Sequence, residues 1–466
     1  MLFNQKIEIK EENPFENCKL NRKQYAEILT KIIDSYNNGF VLAINNKWGT
    51  GKTTFIKMWE KKLNQDKFKT IYFNAWENDF EDSPLTALMG ELKTLENSSN
   101  KDKFHSLLKK TAILTKNIAP ALIEAISKKY IDTEIIKDAI KSTTNGVSEI
   151  FEYNVNEYIN KKKNIAMFRN ELSEFVSNTS KEKPLVFFID ELDRCRPNYS
   201  VSILEQVKHF FNVPNIIFVL SIDKQHLRSS IEGVYGSQNI DTNEYLRRFI
   251  DIEYSIPEPN YENFINHKYQ EYNFDDFFNW PKRNHQEFNN DKELFKNTCL
   301  LLLSNLTLRQ IEKILMHTRI SIRLLKHNEY LIPQVFLFLN VIKISKPELY
   351  CSLQSKTINV EQLQTEFEKI IKPDSKNHRG VVWLEAFLVN FYHNYIEKNN
   401  YNSKRITYND EKHEFKCIYN TKIKFEESES DFLIAIKSLR GGMGNKGSLT
   451  LDFFFKNIEL LNNLNS

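Results

Sequence analysis

Apolar residues in the N-terminal half of the chain form short continuous runs, and amphipathic segments separate these runs. A run without alternation predicts a strand that helices cover on both faces, because an exposed face would carry a polar residue at every second position. Helical periodicity occurs at residues 19–37, 52–63 and 200–211. The order strand, helix, strand predicts an α/β fold with a parallel sheet. The predicted strands are residues 40–44, 70–73, 185–189, 216–220 and 250–256.

The remaining segments have mostly helical patterns. Residues 84–182 form a long insert of helical periodicity, which a polar stretch at 142–146 interrupts. The sequence Pro257-Glu258-Pro259 marks a boundary, and residues 261–345 beyond it are predicted as helices. The last part of the chain has weaker signals, with an antiparallel hairpin predicted within 404–424 and a glycine-rich loop at 440–447.

Composition narrows the class of protein. The chain has 466 residues, enough for two or three domains, and 64 basic residues balance 61 acidic ones, so no strong field draws it to nucleic acid or anionic lipid. Its five cysteines are dispersed without metal-ligand spacing, which indicates a reducing compartment. No apolar stretch reaches the roughly 18–20 residues of a membrane span. We therefore expect a cytoplasmic protein without membrane helices.

A phosphate-binding loop follows the first predicted strand and opens the next helix. It fits the pattern G-x-x-x-x-G-K-[ST] except that Asn46 replaces the first glycine. Glycine amides would cradle phosphate at the helix N-terminus, Lys52 would place its charge on the terminal phosphates, and Thr53 would offer its hydroxyl to Mg²⁺. Asparagine is common at positive φ, which would explain Asn46. The predicted nucleotide-binding residues are Asn46, Lys47, Trp48, Gly49, Thr50, Gly51, Lys52, Thr53 and Thr54.

Two carboxylates end the predicted strand at 185–189. Asp190 would hold the magnesium shell together with Thr53, and Glu191 would orient and deprotonate the attacking water. Both motifs would meet at the C-terminal edge of the parallel sheet, where ligands bind in such folds. Arg194 is either an arginine finger toward a neighbouring subunit or an ion-pair partner of Asp193 or Glu191.

These residues belong to a series of ordered blocks that resembles the KAP family of P-loop NTPases. The resemblance covers approximately residues 13–330. The blocks are the W-G-[ST]-G-K-T loop at 48–53, F-N-A-W-E at 73–77, I-D-E-L-D-R-C at 189–195, V-L-S-I-D at 219–223, Y-L-R-R-F at 245–249 and the helix at 306–313.

The resemblance implies an AAA+-like ATPase core with an additional strand, which uses ATP and Mg²⁺. The implied domains are a core at 13–257 with its insert at 84–182, a helical lid at 258–345, and a mostly helical region of unknown role at 346–466. Many relatives carry membrane helices in the insert, but here charges interrupt its most apolar stretch, so a soluble bacterial member is expected. Bacterial relatives are often linked to phage exclusion or defence.

The resemblance also implies roles for residues outside the two motifs. Ser221 or Asp223 would sense the terminal phosphate, and Arg309 would be a lid arginine that acts on the phosphates. Arg247 and Arg248 are candidate fingers for a neighbouring subunit, which would require a homo-oligomer or a protein partner. Ordinary surface pairing is an equal alternative for each arginine.

Three functions compete at this stage. The first is an ATPase whose turnover drives a conformational change, and the second is a nucleotide-gated switch with little hydrolysis, which would not need a base at Glu191. A nuclease in the C-terminal region is the third, but Asp410, Glu411, His413 and Glu414 show no spacing of a two-metal site. For Trp48 and Trp76, packing in the core is favoured over stacking on the nucleotide base.

Overall fold

The computed structural model describes residues 8–36, 38–112, 114, 147–180, 182–236, 240–283, 288, 290–326, 329–371, 378–397, 406–409, 414–439 and 448–459. The predicted polar break at 142–146 and the glycine-rich loop at 440–447 lie outside these residues. The chain divides between Glu258 and Pro259 into two compact units, which are described separately.

A five-stranded parallel sheet forms the centre of the first unit. Its order is β2-β3-β4-β1-β5, so that β4 lies between the strand that precedes the phosphate loop and the strand that ends in Asp190. This order confirms the predicted AAA+-like P-loop core with its additional strand. The strands are β1 (Phe40–Asn45), β2 (Lys69–Asn74), β3 (Leu185–Asp190), β4 (Ile216–Ile222) and β5 (Ile252–Tyr254).

The last strand is shorter than the predicted 250–256. β5 lies at an edge of the sheet and pairs with β1 alone, and none of its three residues is buried. An edge strand has a hydrogen-bonding neighbour on only one side, and Pro257 follows closely, so little holds a longer strand in register.

Both faces of the sheet are covered. On β1, Val41 and Ala43 belong to one apolar core, whereas Leu42 and Ile44 belong to another on the opposite face. Successive side chains of a strand point to opposite faces, so burial on both faces requires an apolar residue at every position. This explains the continuous apolar runs in the sequence.

Helices of the first unit surround the sheet. The helix α2 starts at the phosphate loop, and α6 and α7 follow the strands that carry Asp190 and Ser221. Part of the predicted helical insert is present as α3, α4 and the long α5. The helices are α1 (Lys23–Asp34), α2 (Lys52–Gln65), α3 (Pro84–Lys93), α4 (residues 101–112), α5 (Val147–Thr179), α6 (Pro197–His209), α7 (Lys224–Tyr235) and α8 (Thr242–Arg247).

The second unit is mainly helical in its described residues, with one antiparallel hairpin of β6 (Ile406–Asn409) and β7 (Glu414–Cys417). The apolar stretch near 331–342 forms a helix whose residues from Pro333 to Ile342 are all buried. The helices are α9 (Tyr261–Glu271), α10 (Asp275–Phe278), α11 (Asp291–Leu303), α12 (Leu308–Ile322), α13 (Pro333–Ser345), α14 (Pro347–Gln354), α15 (Val360–Ile370), α16 (Arg379–Ile396), α17 (Ser428–Ser438) and α18 (Leu451–Ile458).

Candidate nucleotide site

The phosphate loop connects β1 to α2. The expected positive φ angles occur at its glycines but not at its asparagine. Gly49 and Gly51 have φ of 75° and 84°, in the left-handed region where glycine has no steric cost. Asn46 does not have positive φ, so the expected reason for this residue is wrong. Its side-chain amide instead donates to the carbonyl oxygen of Ile256 at 2.8 Å and accepts from the Ile256 amide at 2.9 Å. Asn46 thus fastens the loop to the segment after β5.

Lys52 begins α2 and is almost fully buried, with 9% of its surface exposed. Its ammonium donates to the carbonyl oxygens of Asn46 and, at 3.2 Å, Lys47. Burial lowers its pKa, and the charges of Asp193, Asp223 and Asp190 oppose this shift. Asp190 ends β3, whereas Asp193 and Asp223 follow the ends of β3 and β4, so these acid groups come from the same edge of the sheet.

Asp190 is the last residue of β3 and is 1% exposed. One of its carboxylate oxygens accepts from the Tyr72 hydroxyl at 2.9 Å, and the other accepts from the Glu191 amide at 3.0 Å. Burial and the neighbouring Asp190 charge raise the pKa of Tyr72, so Tyr72 stays a neutral donor. In the sheet register, Asp190 lies opposite Ser221 of β4, whose buried hydroxyl has no hydrogen-bond partner among the described residues.

Glu191 leaves the strand in the left-handed conformation, with φ of 60°. Its carboxylate forms an ion pair with Arg194 at 2.8 Å, and the Asn74 amide group lies 3.5 Å from its other oxygen. Burial raises the pKa of Glu191, while Arg194 opposes this effect. Of the alternatives for Arg194, the structure shows pairing with Glu191.

The expected core packing of two tryptophans is wrong, since Trp48 is 38% and Trp76 is 53% exposed. The Trp48 indole stacks on the His226 ring at 3.7 Å between centroids and donates its N–H to the Asp193 carboxylate. The Arg194 guanidinium carbon lies 5.8 Å from the centroid of the Trp48 ring and 5.9 Å from that of Trp76. Both rings therefore line the approach to Glu191.

Asp223 makes two contacts that the sequence did not predict. Its carboxylate accepts from the Trp48 backbone amide at 3.1 Å and from the Gln225 amide at 3.2 Å, which caps α7. It therefore fixes the phosphate loop to the end of β4. The strand position of Ser221, beside Asp190, is the one that faces the site.

Sequence reasoning missed two polar residues that contact the site. Asn74 ends β2 in register with Asp190, and the convergence of parallel strand ends could have indicated it. Arg22 contacts the loop from the segment before α1, and its guanidinium donates to the carbonyl oxygens of Thr50 and Gly51. No local pattern distinguishes this arginine from an exposed residue at the start of an amphipathic helix.

Three other predicted arginines lie on exposed surfaces. Arg247 forms an ion pair with Glu244 at 3.1 Å, and Arg248 follows it at the end of α8. Arg309 lies in the first turn of α12, in the second unit. Within the described part of the first unit, no contact joins Arg247 or Arg248 to Lys52 or Asp190.

The sheet order and the loop agree with comparisons to known proteins. The model of the KAP family P-loop domain matches residues 22–326, more than half of the chain. The chain belongs to the KAP family of P-loop NTPases. The uncharacterized protein MJ0182 of Methanocaldococcus jannaschii is 30% identical over 175 residues, which are 33% of this chain and 89% of that protein. The ORC2 protein of Aeropyrum pernix, solved in ADPNP–ADP complexes, aligns with 90% of this chain and 86% of its own at 12% identity and a TM-score of 0.31.

The sequence predicts that this KAP protein has no membrane helix in its insert. Within the described ranges, no helix combines the length and the apolar character needed to cross a bilayer. Most of the interrupted apolar stretch at 111–127 lies outside those ranges.

The residues fit a nucleotide and Mg²⁺. The left-handed glycines and the start of α2 supply amides and a positive helix end for an anion. Oxygen ligands suit Mg²⁺, and they are present as the Asp190 carboxylate and the partly exposed Thr53 hydroxyl in the first turn of α2. The buried Ser221 hydroxyl, which lacks a partner in the described part of the chain, adds a polar group aligned with Asp190.

Proposed function

We propose that this KAP NTPase binds and hydrolyses ATP with Mg²⁺ to drive a conformational change. One observation supports the proposal: Trp48 of the phosphate loop donates its indole N–H to Asp193, three positions after Asp190, so the loop that leads to Lys52 lies beside the acidic end of β3. This contact supports a single site for the cation and the acid of the two motifs at the C-terminal edge of the sheet.

Each group has a distinct task in this proposal. The amides around Gly49 and Gly51, together with Lys52, bind the phosphates. Thr53 and Asp190 would hold Mg²⁺, which when bound neutralises charge on the transferred phosphate. Glu191 accepts the proton of the attacking water, for which its raised pKa makes it a better proton acceptor than an ordinary carboxylate.

Further roles rest on the family resemblance. We propose Ser221 as the residue that senses the terminal phosphate and Arg309 as a lid arginine that acts on the phosphates. The same resemblance links such proteins to phage exclusion or defence in bacteria. For this chain that role is part of the proposal and rests on the resemblance alone.

The alternative is a nucleotide-gated switch with little hydrolysis. The ion pair between Glu191 and Arg194 favours it in one respect, because a paired carboxylate is not free to take a proton from water. Hydrolysis therefore requires Glu191 to leave Arg194 when ATP is bound. Turnover measurements distinguish the two functions.

The test compares the full chain with Lys52→Ala and Glu191→Gln. We expect both variants to lose ATP turnover by about a hundredfold or more, because the first removes phosphate charge stabilisation and the second removes the base. E191Q should still bind Mg-ATP in calorimetry, whereas K52A should bind it weakly. Phosphate release and calorimetric titration provide the two measurements.

The control is Lys61→Ala, which removes a lysine near the other end of α2 that pairs with Glu11. It should leave turnover unchanged. Equal turnover in the wild type, K52A and E191Q would overturn the assignment, and tight binding without turnover in the wild type would favour the switch.

A further inference from the structure

Arg22 is a buried cation that contacts the phosphate loop from behind. It is 3% exposed and immediately precedes α1, outside both nucleotide motifs. One of its terminal nitrogens donates to the Thr50 carbonyl oxygen at 2.8 Å, and the other donates to the Gly51 carbonyl oxygen at 3.2 Å. Its guanidinium thus binds two consecutive carbonyls at the start of α2.

Those two contacts favour one direction for two amides, and the helix bond from the Phe55 amide to the Gly51 carbonyl oxygen at 3.1 Å holds the second of them in the same direction. In a trans peptide the C=O and the following N–H belong to one plane and point in opposite directions. The Thr50 carbonyl shares its plane with the Gly51 amide, and the Gly51 carbonyl shares its plane with the Lys52 amide. With both carbonyls turned toward Arg22, both N–H groups are directed away from it, as the inner surface of an anion nest requires.

Arg22 brings positive charge to the start of a helix. The N-terminus of a helix carries partial positive charge, so a cation there is unfavourable unless an anion offsets it. Arg22 lies against the first carbonyls of α2, and the ammonium of Lys52 is buried at the same helix end. Two buried cations at one helix N-terminus add to its positive charge, which favours the binding of a polyanionic ligand.

We propose that Arg22 is a positioning residue for the phosphate chain: it aims the Gly51 and Lys52 amides and adds positive charge behind them. The proposal deepens the proposed function, since it rests on this loop binding a nucleoside polyphosphate. Arg22 itself does not contact the nucleotide. Its effect should therefore depend on the number of phosphates in the ligand.

The experiment titrates full-length wild type, Arg22→Met and Arg22→Lys with ADP and with AMP in the presence of Mg²⁺. ADP places its second phosphate in the nest and AMP does not. We expect R22M to weaken ADP binding roughly tenfold to a hundredfold, the range that the loss of charged hydrogen bonds produces. AMP binding should change little. The ADP affinity of R22K should lie between those of the wild type and R22M, because one ammonium keeps the charge but does not reproduce the planar two-nitrogen contact.

The matched control is Arg169→Met. Arg169 also donates to a backbone carbonyl in this unit, that of His209 at 2.9 Å, but it does not contact the loop. R169M should keep the ADP-to-AMP affinity ratio of the wild type. Thermal unfolding followed by circular dichroism checks that each variant is folded. If R22M is not folded, the comparison of R22K with the wild type tests the proposal.

The outcomes separate the two proposals. A wild type that binds neither nucleotide would overturn the proposed function. A wild type that binds ADP, with R22M or R22K binding it equally well, would overturn the role of Arg22 alone. A variant that loses ADP and AMP affinity by the same factor would show a merely structural role and would also overturn it.

Discussion

At the scale of single residues, Glu191 combines strain with an unusual environment. A glutamate with φ of 60° is uncommon, and such conformations persist where surrounding contacts hold them. Here the ion pair with Arg194 and the nearby Asn74 amide provide these contacts. The raised pKa of Glu191 arises mainly from burial, so its charge depends on a balance between desolvation and Arg194. That balance has a measurable consequence.

We expect Arg194→Met to move the acidic limb of the ATPase pH profile to higher pH. A general base works when deprotonated, so turnover falls as pH drops through its pKa. Because Arg194 opposes the upward shift, its removal raises the pKa of Glu191 further. The measurement is kcat/KM against pH for the wild type and R194M.

Arg196→Met is the matched control for this prediction. Arg196 pairs with Asp79 at 2.9 Å, whereas the ion pair of Glu191 is with Arg194, so the loss of Arg196 should leave the acidic limb in place. A limb that stays fixed or moves to lower pH in R194M would contradict the assignment of Glu191 as the base.

At the scale of elements, the phosphate loop depends on contacts with neighbours that are remote in sequence. Asn46 joins it to the segment after β5, Asp223 joins it to the end of β4, and Arg22 joins it to the start of α1. The Asn46 amide makes the same pair of bonds that a neighbouring strand would make, beyond the point where β5 has ended. Asparagine therefore replaces glycine here to complete the edge of the sheet.

This interpretation predicts that Asn46→Gly destabilises the protein, although it restores the usual loop sequence. The Ile256 amide and carbonyl would lose their partners, at a cost of about 1–2 kcal/mol. Glycine would also increase the freedom of the unfolded chain. Calorimetric unfolding of the full chain should show a midpoint lower by roughly 2–4 °C for each kcal/mol.

Asn46→Asp provides the comparison, because it keeps the acceptor for the Ile256 amide and loses the donor. It should lie between the wild type and N46G in stability at neutral pH. A midpoint for N46G at or above that of the wild type would disprove the role given to this side chain.

At the scale of the whole molecule, the roles suggested for three arginines would involve either one chain or two. Arg309 belongs to the second unit, while Arg247 and Arg248 lie exposed at the end of α8. A lid arginine would act within one chain, whereas a finger would act on the site of a neighbouring chain. Mixing experiments distinguish these arrangements.

We expect an equimolar mixture of Glu191→Gln and Arg248→Ala to regain ATP turnover that neither variant has alone. In a mixed assembly, the E191Q chain supplies the finger and the R248A chain supplies an intact base, so composite sites form. A mixture of E191Q and Arg309→Ala should stay inactive if Arg309 acts on its own chain. Light scattering with Mg-ATP that shows only monomers would contradict the finger proposal.

The sequence alone determined the class of fold and the two motifs of the site. Strands such as β1 and β3 are buried on both faces, and this burial requires apolar residues at successive positions, which the sequence shows directly. The phosphate loop was also predictable, since Gly49 and Gly51 are required by local backbone conformation. These features depend on neighbours in the chain or on burial, and both leave local patterns.

Tertiary structure decided which polar groups act on the loop. Arg22, Asn74 and Asn46 acquire their contacts from segments far away in sequence, and a single polar residue carries no periodic signal of such a contact. For the same reason Trp48 and Trp76 were assigned to the core, although they line the exposed approach to Glu191. The local sequence pattern predicts backbone conformation and burial. Which partner a polar side chain bonds, and whether an aromatic ring is exposed, is determined only when distant segments come together.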